Sequence, residues 1–153
     1  MKELLQAAEL LRKARRKLSQ GQYSREPLQL LRIEWKRHSV ECDWLMRPPD
    51  PWDVDLPADL ARQNQTLQAL KDALSLRDAI FDSFPAARNA DLRMYRVDAE
   101  EQLELVMTGS VSRSNEVLQR VASLVMRARL CGFNFTLGSG GLESLRSISL
   151  GCT

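Results

Sequence analysis

Apolar residues recur at sevens in two stretches of the chain. Leu4, Leu11 and Leu18, with Ala7 and Ala14 between them, make a narrow stripe that predicts an amphipathic helix over residues 3–18, closed by Gln20-Gly21-Gln22. A helix this short barely holds alone in water, so its stripe must pack on something. Leu60, Leu67, Leu74 and Phe81 repeat the spacing in a longer helix from about Ala58 to Phe84, where Leu70, Ile80 and Phe84 widen the stripe. Pro57 suits the first turn, where a missing N–H is harmless, and Pro85 stops the helix.

Residues 28–46 carry two patterns at once. Leu28, Leu31, Trp35, His38, Cys42 and Leu45 fall at threes and fours, as on a helix face. Leu31, Ile33 and Trp35 also alternate with Arg32, Glu34 and Lys36, and Val40, Cys42 and Trp44 with Glu41 and Asp43, as in two strands around Arg37-His38-Ser39. β-Branched and aromatic content tips the balance towards the hairpin. Residues 47–57 hold four prolines, which remove backbone donors and fix φ, so this stretch reads as a linker with Trp52 pinning it to a flanking unit.

Beyond the long helix, residues 92–97 and 103–109 alternate as strands around a turn from Asp98 to Gln102. A second helix is expected next, capped by Ser112 or Ser114, with Leu118, Val121, Ala122 and Val125 buried and Arg120, Arg127 and Arg129 facing solvent. Gly132 stands where a C-terminal glycine cap belongs. Phe133, Phe135 and Leu137 predict a third strand, Gly138-Ser139-Gly140-Gly141 a turn, and residues 144–151 a last strand with Ile148 and Leu150 inward. The fold class expected is therefore α+β: a ferredoxin-like plait of αββαββ order over residues 58–153, preceded by an N-terminal unit over 1–46 and the 47–57 linker.

With 44% hydrophobic and 27% charged residues and a net charge of +2, the 153-residue chain has a globular composition, and no whole-molecule field draws nucleic acid. Charge is unevenly placed. Arg12, Lys13, Arg15, Arg16 and Lys17 form a basic run suited to solvent or to anionic lipid headgroups, whereas Glu41, Asp43, Asp50, Asp53, Asp55 and Asp59 make 41–59 acidic. No stretch reaches the roughly 20 apolar residues of a membrane helix, and charges at Lys2, Glu3 and Glu9 are unlike a secretory leader. As written the chain reads as cytoplasmic; a fragment of an anchored protein would instead be inner-membrane associated or periplasmic.

Parts for catalysis are missing from the pattern. Cys42, Cys131 and Cys152 lie far apart without a CxxC, and His38 is the sole histidine, so neither a zinc set nor a nucleophile–base pair can be built. The Cys thiols read as buried or indifferent, with a Cys131–Cys152 bridge as the other option. Asp98, Glu100 and Glu101 cluster on a turn, where adjacent carboxylates point apart and stay solvated. The glycine run at 138–141 joins two strands without a lysine, unlike a phosphate loop. Tyr95 alone is too little for an RNA-stacking sheet. The expectation is a non-enzyme without cofactor or metal.

The order Phe84-Pro85, Leu92 to Val97, Asp98 to Gln102, Leu105-Val106-Met107-Thr108-Gly109, Ser112 to Asn115 and Val117 onward resembles the C-terminal domain of inner-membrane platform proteins of type IV pilus and type II secretion machines. That resemblance covers about residues 60–150 and implies a scaffold that pairs with itself or with a partner of similar fold. The residues expected to carry assembly are Leu4, Leu11, Leu60, Leu67 and Leu74. Residues 103–150 also resemble half of an ACT domain, which implies, as the alternative, a regulatory module binding a small molecule such as an amino acid.

Overall fold

A computed structural model describes residues 8, 9, 12, 28–48, 55–113, 123–138 and 141–145. Strands β1 (Gln29–Lys36) and β2 (Ser39–Leu45) form an antiparallel hairpin, with Trp35 opposite Val40 and Ile33 opposite Cys42. Period two prevails over the helical pattern because Val40, Cys42 and Trp44 are wholly buried while Ser39, Glu41, Asp43 and Leu45 are half-exposed on the other face. Helix α1 (Ala58–Ser83) follows, then β3 (Asn89–Val97), which lies parallel to β2 with Cys42 opposite Leu92. Strand β4 (Leu103–Ser112) returns antiparallel to β3, and β5 (Phe133–Asn134) adds two residues beside Thr108 and Gly109. The sheet order is β1-β2-β3-β4-β5. Helix α2 (Leu124–Cys131) precedes β5, and a separate hairpin, β6 (Thr136–Gly138) with β7 (Gly141–Glu143), follows it.

This architecture is α+β but overturns the ferredoxin-like αββαββ plait. The 28–45 hairpin is not a preceding unit: it extends the one mixed sheet, joined to β3 by a parallel ladder from Ser39↔Asn89 to Leu45↔Tyr95. A parallel neighbour requires a crossover of a dozen or more residues, and α1 supplies it. The expected third strand breaks at Phe135, so β5 stays in the large sheet while β6 leaves it for β7. β7 begins at the last residue of the expected turn, Gly141, and ends before the expected last strand at 144–151, whose residues 146–151 lie outside the described residues. Ser112 ends β4 rather than capping a helix; the described cap is Ser123, whose hydroxyl accepts from the Met126 N–H at 3.2 Å. Gly132 takes the left-handed conformation at the end of α2, as its position predicted.

The core lies between α1 and one face of the sheet. Buried Ala69, Ala73 and Ala79 let the helix backbone approach, and Leu70, Leu76, Ile80 and Phe84 fill the space over Trp44, Leu92, Met94 and Met107. Trp35 stacks on Phe84 at 5.0 Å between centroids, which ties the β1 edge to the far end of α1. Gly109 meets Phe133 so closely that a Cβ would lie 2.5 Å from the ring.

No basic residue occupies the last turn of α1, whose terminal carbonyls therefore need an outside donor. Arg113, just past β4, supplies it. Its guanidinium donates to the carbonyls of Phe81, Phe84, Pro85 and Ala87 at 2.8 to 3.2 Å and lies over the Phe81 ring at 4.9 Å. Replacing Arg113 with Ala should lower unfolding stability by about 2 kcal/mol in urea titrations, the scale of hydrogen bonds from a charged donor. Arg113→Lys should restore only part of it, because an ammonium cannot span four carbonyls; full rescue by Lys would show that charge alone matters.

Candidate functional site

Helix α1 is buried along its second half only. Gln68, Ala69, Leu70 and most residues to Phe84 sit in the core, whereas Ala58 to Leu60, Arg62 and Gln63 are exposed. The leucines at sevens run along the flank of the helix rather than down its buried face. Leu60 is 42% exposed, Leu67 and Leu74 are half-buried, and Phe81 alone of that series is buried. Beside the projecting half lies a groove of about 290 Å³, lined by Leu67, Thr66, Gln63, Arg62 and Asp59 of α1, Val125 of α2, and Leu137, Gly138 and Gly141 of the β6–β7 hairpin.

Each wall is held from outside the groove. Gly141, at φ +90, brings the hairpin against α1, where a Cβ would stand 2.8 Å from the Thr66 hydroxyl oxygen. Buried Leu142 follows, and its carbonyl accepts from Arg96 at 2.7 Å while Arg96 pairs with Glu104 at 2.9 Å. The Leu145 N–H donates to the Leu105 carbonyl at 2.9 Å. Asp59 and Arg62 pair at 2.6 Å on the exposed rim.

The root of the projecting half is fixed by a buried polar network. Arg47, immediately beyond β2, donates to Asp72 at 2.9 Å, with both side chains 2% exposed. Gln68 donates to the other Asp72 oxygen at 2.8 Å, and the Gln65 side chain donates to the Arg47 carbonyl at 3.1 Å. Burial pushes the Asp72 carboxyl up to about 6, against the opposing pull of Arg47 and Gln68.

The other sequence candidates resolve into structural roles or fall outside the described residues. Leu4, Leu11, Lys13, Arg15, Arg16, Lys17, Trp52, Ser114 and Cys152 lie outside; Ala8, Glu9 and Arg12 are helical, with Glu9 and Arg12 exposed. His38 is exposed at the β1–β2 turn, and its carbonyl accepts from the Arg88 N–H. The Asp98 carboxylate accepts from the Glu100 and Gln102 N–H groups, so the acidic cluster shapes its own turn. Cys42 and Cys131 are buried free thiols; desolvation pushes Cys42 up to about 12 and raises Cys131. Tyr95 stands half-exposed on the outer sheet face, where Arg32, Asp43 and Arg93 form a charge ladder, with Asp43 3.3 Å from Arg32 and 2.9 Å from Arg93. Among the described residues no group of three His, Cys, Asp or Glu side chains gathers as a metal site, and no helix is long and apolar enough to cross a membrane.

No family model, curated protein or solved structure matches the chain.

Sequence reasoning missed the Arg47–Asp72 pair and the polar rim of the groove. The available signal was Gln65, Gln68 and Asp72 at helical spacing within an alanine-rich buried stretch, next to an arginine that opens a proline-rich linker.

The Asp72 carboxyl titrates higher when folded than the usual unfolded value near 3.9, so the folded chain binds more protons between those two pH values. Its contribution to stability is present in full below about pH 4 and is lost as pH rises through about 6, a change of about 3 kcal/mol. Urea unfolding from pH 4 to 7 should show the wild type losing that increment relative to Asp72→Asn; parallel profiles would place the Asp72 proton elsewhere.

Proposed function

We propose that this chain is a non-catalytic assembly module that pairs with a second copy through the projecting half of α1. The observation that carries this reading is Leu60, 42% exposed on a helix whose other half is core, in line with half-buried Leu67 at the mouth of an apolar groove. Leucines at sevens are self-complementary: two such helices, antiparallel, set Leu60 of each beside Leu67 of the other, a closed two-fold contact. Asp59, Arg62 and Gln63 supply the polar rim that surrounds the apolar centre of an interface. The proposal is for assembly as such and names no machine.

Sedimentation of the full chain over a concentration series tests it. Dimers should appear at high concentration, and Leu60→Asp, a change at a partly exposed position, should weaken association at least about tenfold, the cost of desolvating a carboxylate in an apolar contact. Association that ignores Leu60→Asp, or a chain that stays monomeric with or without Leu11→Asp in the N-terminal stripe, overturns the reading. A thermal shift with one of the twenty amino acids, absent from Leu67→Asp, would instead favour a small-molecule regulatory module.

A further inference from the structure

We propose that β1 is a second pairing surface: its outer edge joins, antiparallel, the β1 edge of another copy about a two-fold axis at Ile33. This contact is separate from the one at α1 and does not rest on it. β1 and β5 are opposite edges of the large sheet, and the groove is walled by α2, which packs beside β5, and by the β6–β7 hairpin. A chain with two different two-fold contacts can assemble beyond a pair.

Backbone hydrogen bonding carries the first part of the case. Among the described residues no strand lies on the outer side of β1, which runs eight residues without a proline, whereas the β5 edge is two residues long. Which of its groups are unused follows from the neighbouring ladder. The Met46 N–H donates to the Tyr95 carbonyl at 2.7 Å, and the Asn89 N–H to the His38 carbonyl at 3.5 Å. Even-numbered residues along β2 thus turn their backbone groups to β3. The odd-numbered Ser39, Glu41 and Asp43 face β1 and bond to Lys36, Glu34 and Arg32. Ile33 and Trp35, between those pairs, direct N–H and C=O to the outer edge.

Side chains select the register. Leu30, Ile33 and Trp35 point inward and are only partly buried at the margin of the core, so no inward charge guards this edge. On the outward face Arg32, Glu34 and Lys36 alternate in sign. Centred on Ile33, Arg32 of each chain stands opposite Glu34 of the other, and residues 30–36 overlap. Centred on Glu34, like charges meet, glutamate on glutamate and Arg32 on Lys36, which is destabilising. Centred on Trp35, only residues 34–36 overlap. Arg32 already pairs with Glu34 of its own strand at 2.6 Å, so the favoured register makes a square of four charges alternating in sign. The bulge between Leu30 and Arg32 keeps the regular ladder short, centred on the two bonds that the Ile33 pair exchanges. The contact is therefore weak, and its specificity lies in the charges.

Amide hydrogen exchange on the full chain over a concentration series tests this contact. The Ile33 amide should exchange fast in dilute solution and slow by about tenfold or more as concentration rises. The amide at position 34, bonded to Glu41, should stay protected throughout and reports that the hairpin is folded. Glu34→Arg should remove the slowing, because it sets Arg32 against an arginine. Arg32→Glu should do the same, and an equimolar mixture of the two variants should restore it, since only there do opposite charges meet across the axis. If Arg32→Glu exposes the amide at position 34, the hairpin has opened and Glu34→Arg decides alone. Leu60→Asp should leave the slowing intact, which keeps failure here distinct from failure of the α1 contact. An Ile33 amide that is protected in dilute solution, or is indifferent to concentration or to Glu34→Arg, overturns the proposal. Loss of the slowing in Leu60→Asp overturns it too.

Discussion

Because β2 and β3 run parallel, the chain that leaves Leu45 at one end of the sheet must re-enter at Asn89 at the other, and one helix makes the return. The 26 residues of α1 span about 39 Å, whereas the nine residues of β3 span about 30 Å. The surplus emerges at the start of the helix, where Leu60 and its neighbours are exposed, and not at the end, where Phe84 is in the core. The groove is thus a geometric by-product of a crossover longer than the sheet it covers.

Three arginines hold that crossover in place. Arg47 works inside the protein, reaching Asp72 and receiving Gln65 on its carbonyl, so that the exit from β2 and the middle of α1 keep one relative position. An ion pair so deeply buried is weak evidence of added stability, since desolvation offsets much of its Coulomb attraction; it does set a position that a slipped helix could not satisfy. Arg113 works at the other end, gathering carbonyls that the helix cannot satisfy for itself. Arg77 lies over the same Phe81 ring and donates to the carbonyls of Ser112 and Arg113, so the end of β4 and the end of α1 are tied in both directions.

Before the buried stretch that begins at Gln68, the projecting half of α1 presents Leu60, exposed, and Leu67, half-buried. Pairing through a second copy, as proposed, would cover these positions with the same repeat.

Local elements were legible where period and punctuation agree. The α1 helix between Pro57 and Pro85, the β3–β4 hairpin around Asp98 and the glycine cap at Gly132 all follow from residues within a few positions of one another. The plait did not survive, because strand order depends on contacts between segments far apart. Nothing in Ser39–Leu45 announces a parallel partner at Asn89–Tyr95, and the αββαββ reading assigned the hairpin to a separate unit. The stripe at sevens was visible, but which residues of α1 meet the sheet was not: the alanines at 69, 73 and 79 carry the close approach, with Leu60 exposed and Leu67 half-buried. By itself, then, the sequence determined the extent of α1, the turn between β3 and β4 and the cap at Gly132, through periodicity, proline and glycine. Tertiary structure alone decided which strands are neighbours, which half of α1 is left outside, and that Arg47 and Asp72 meet, because each depends on bringing distant residues together in a space where only one arrangement satisfies both packing and buried charge.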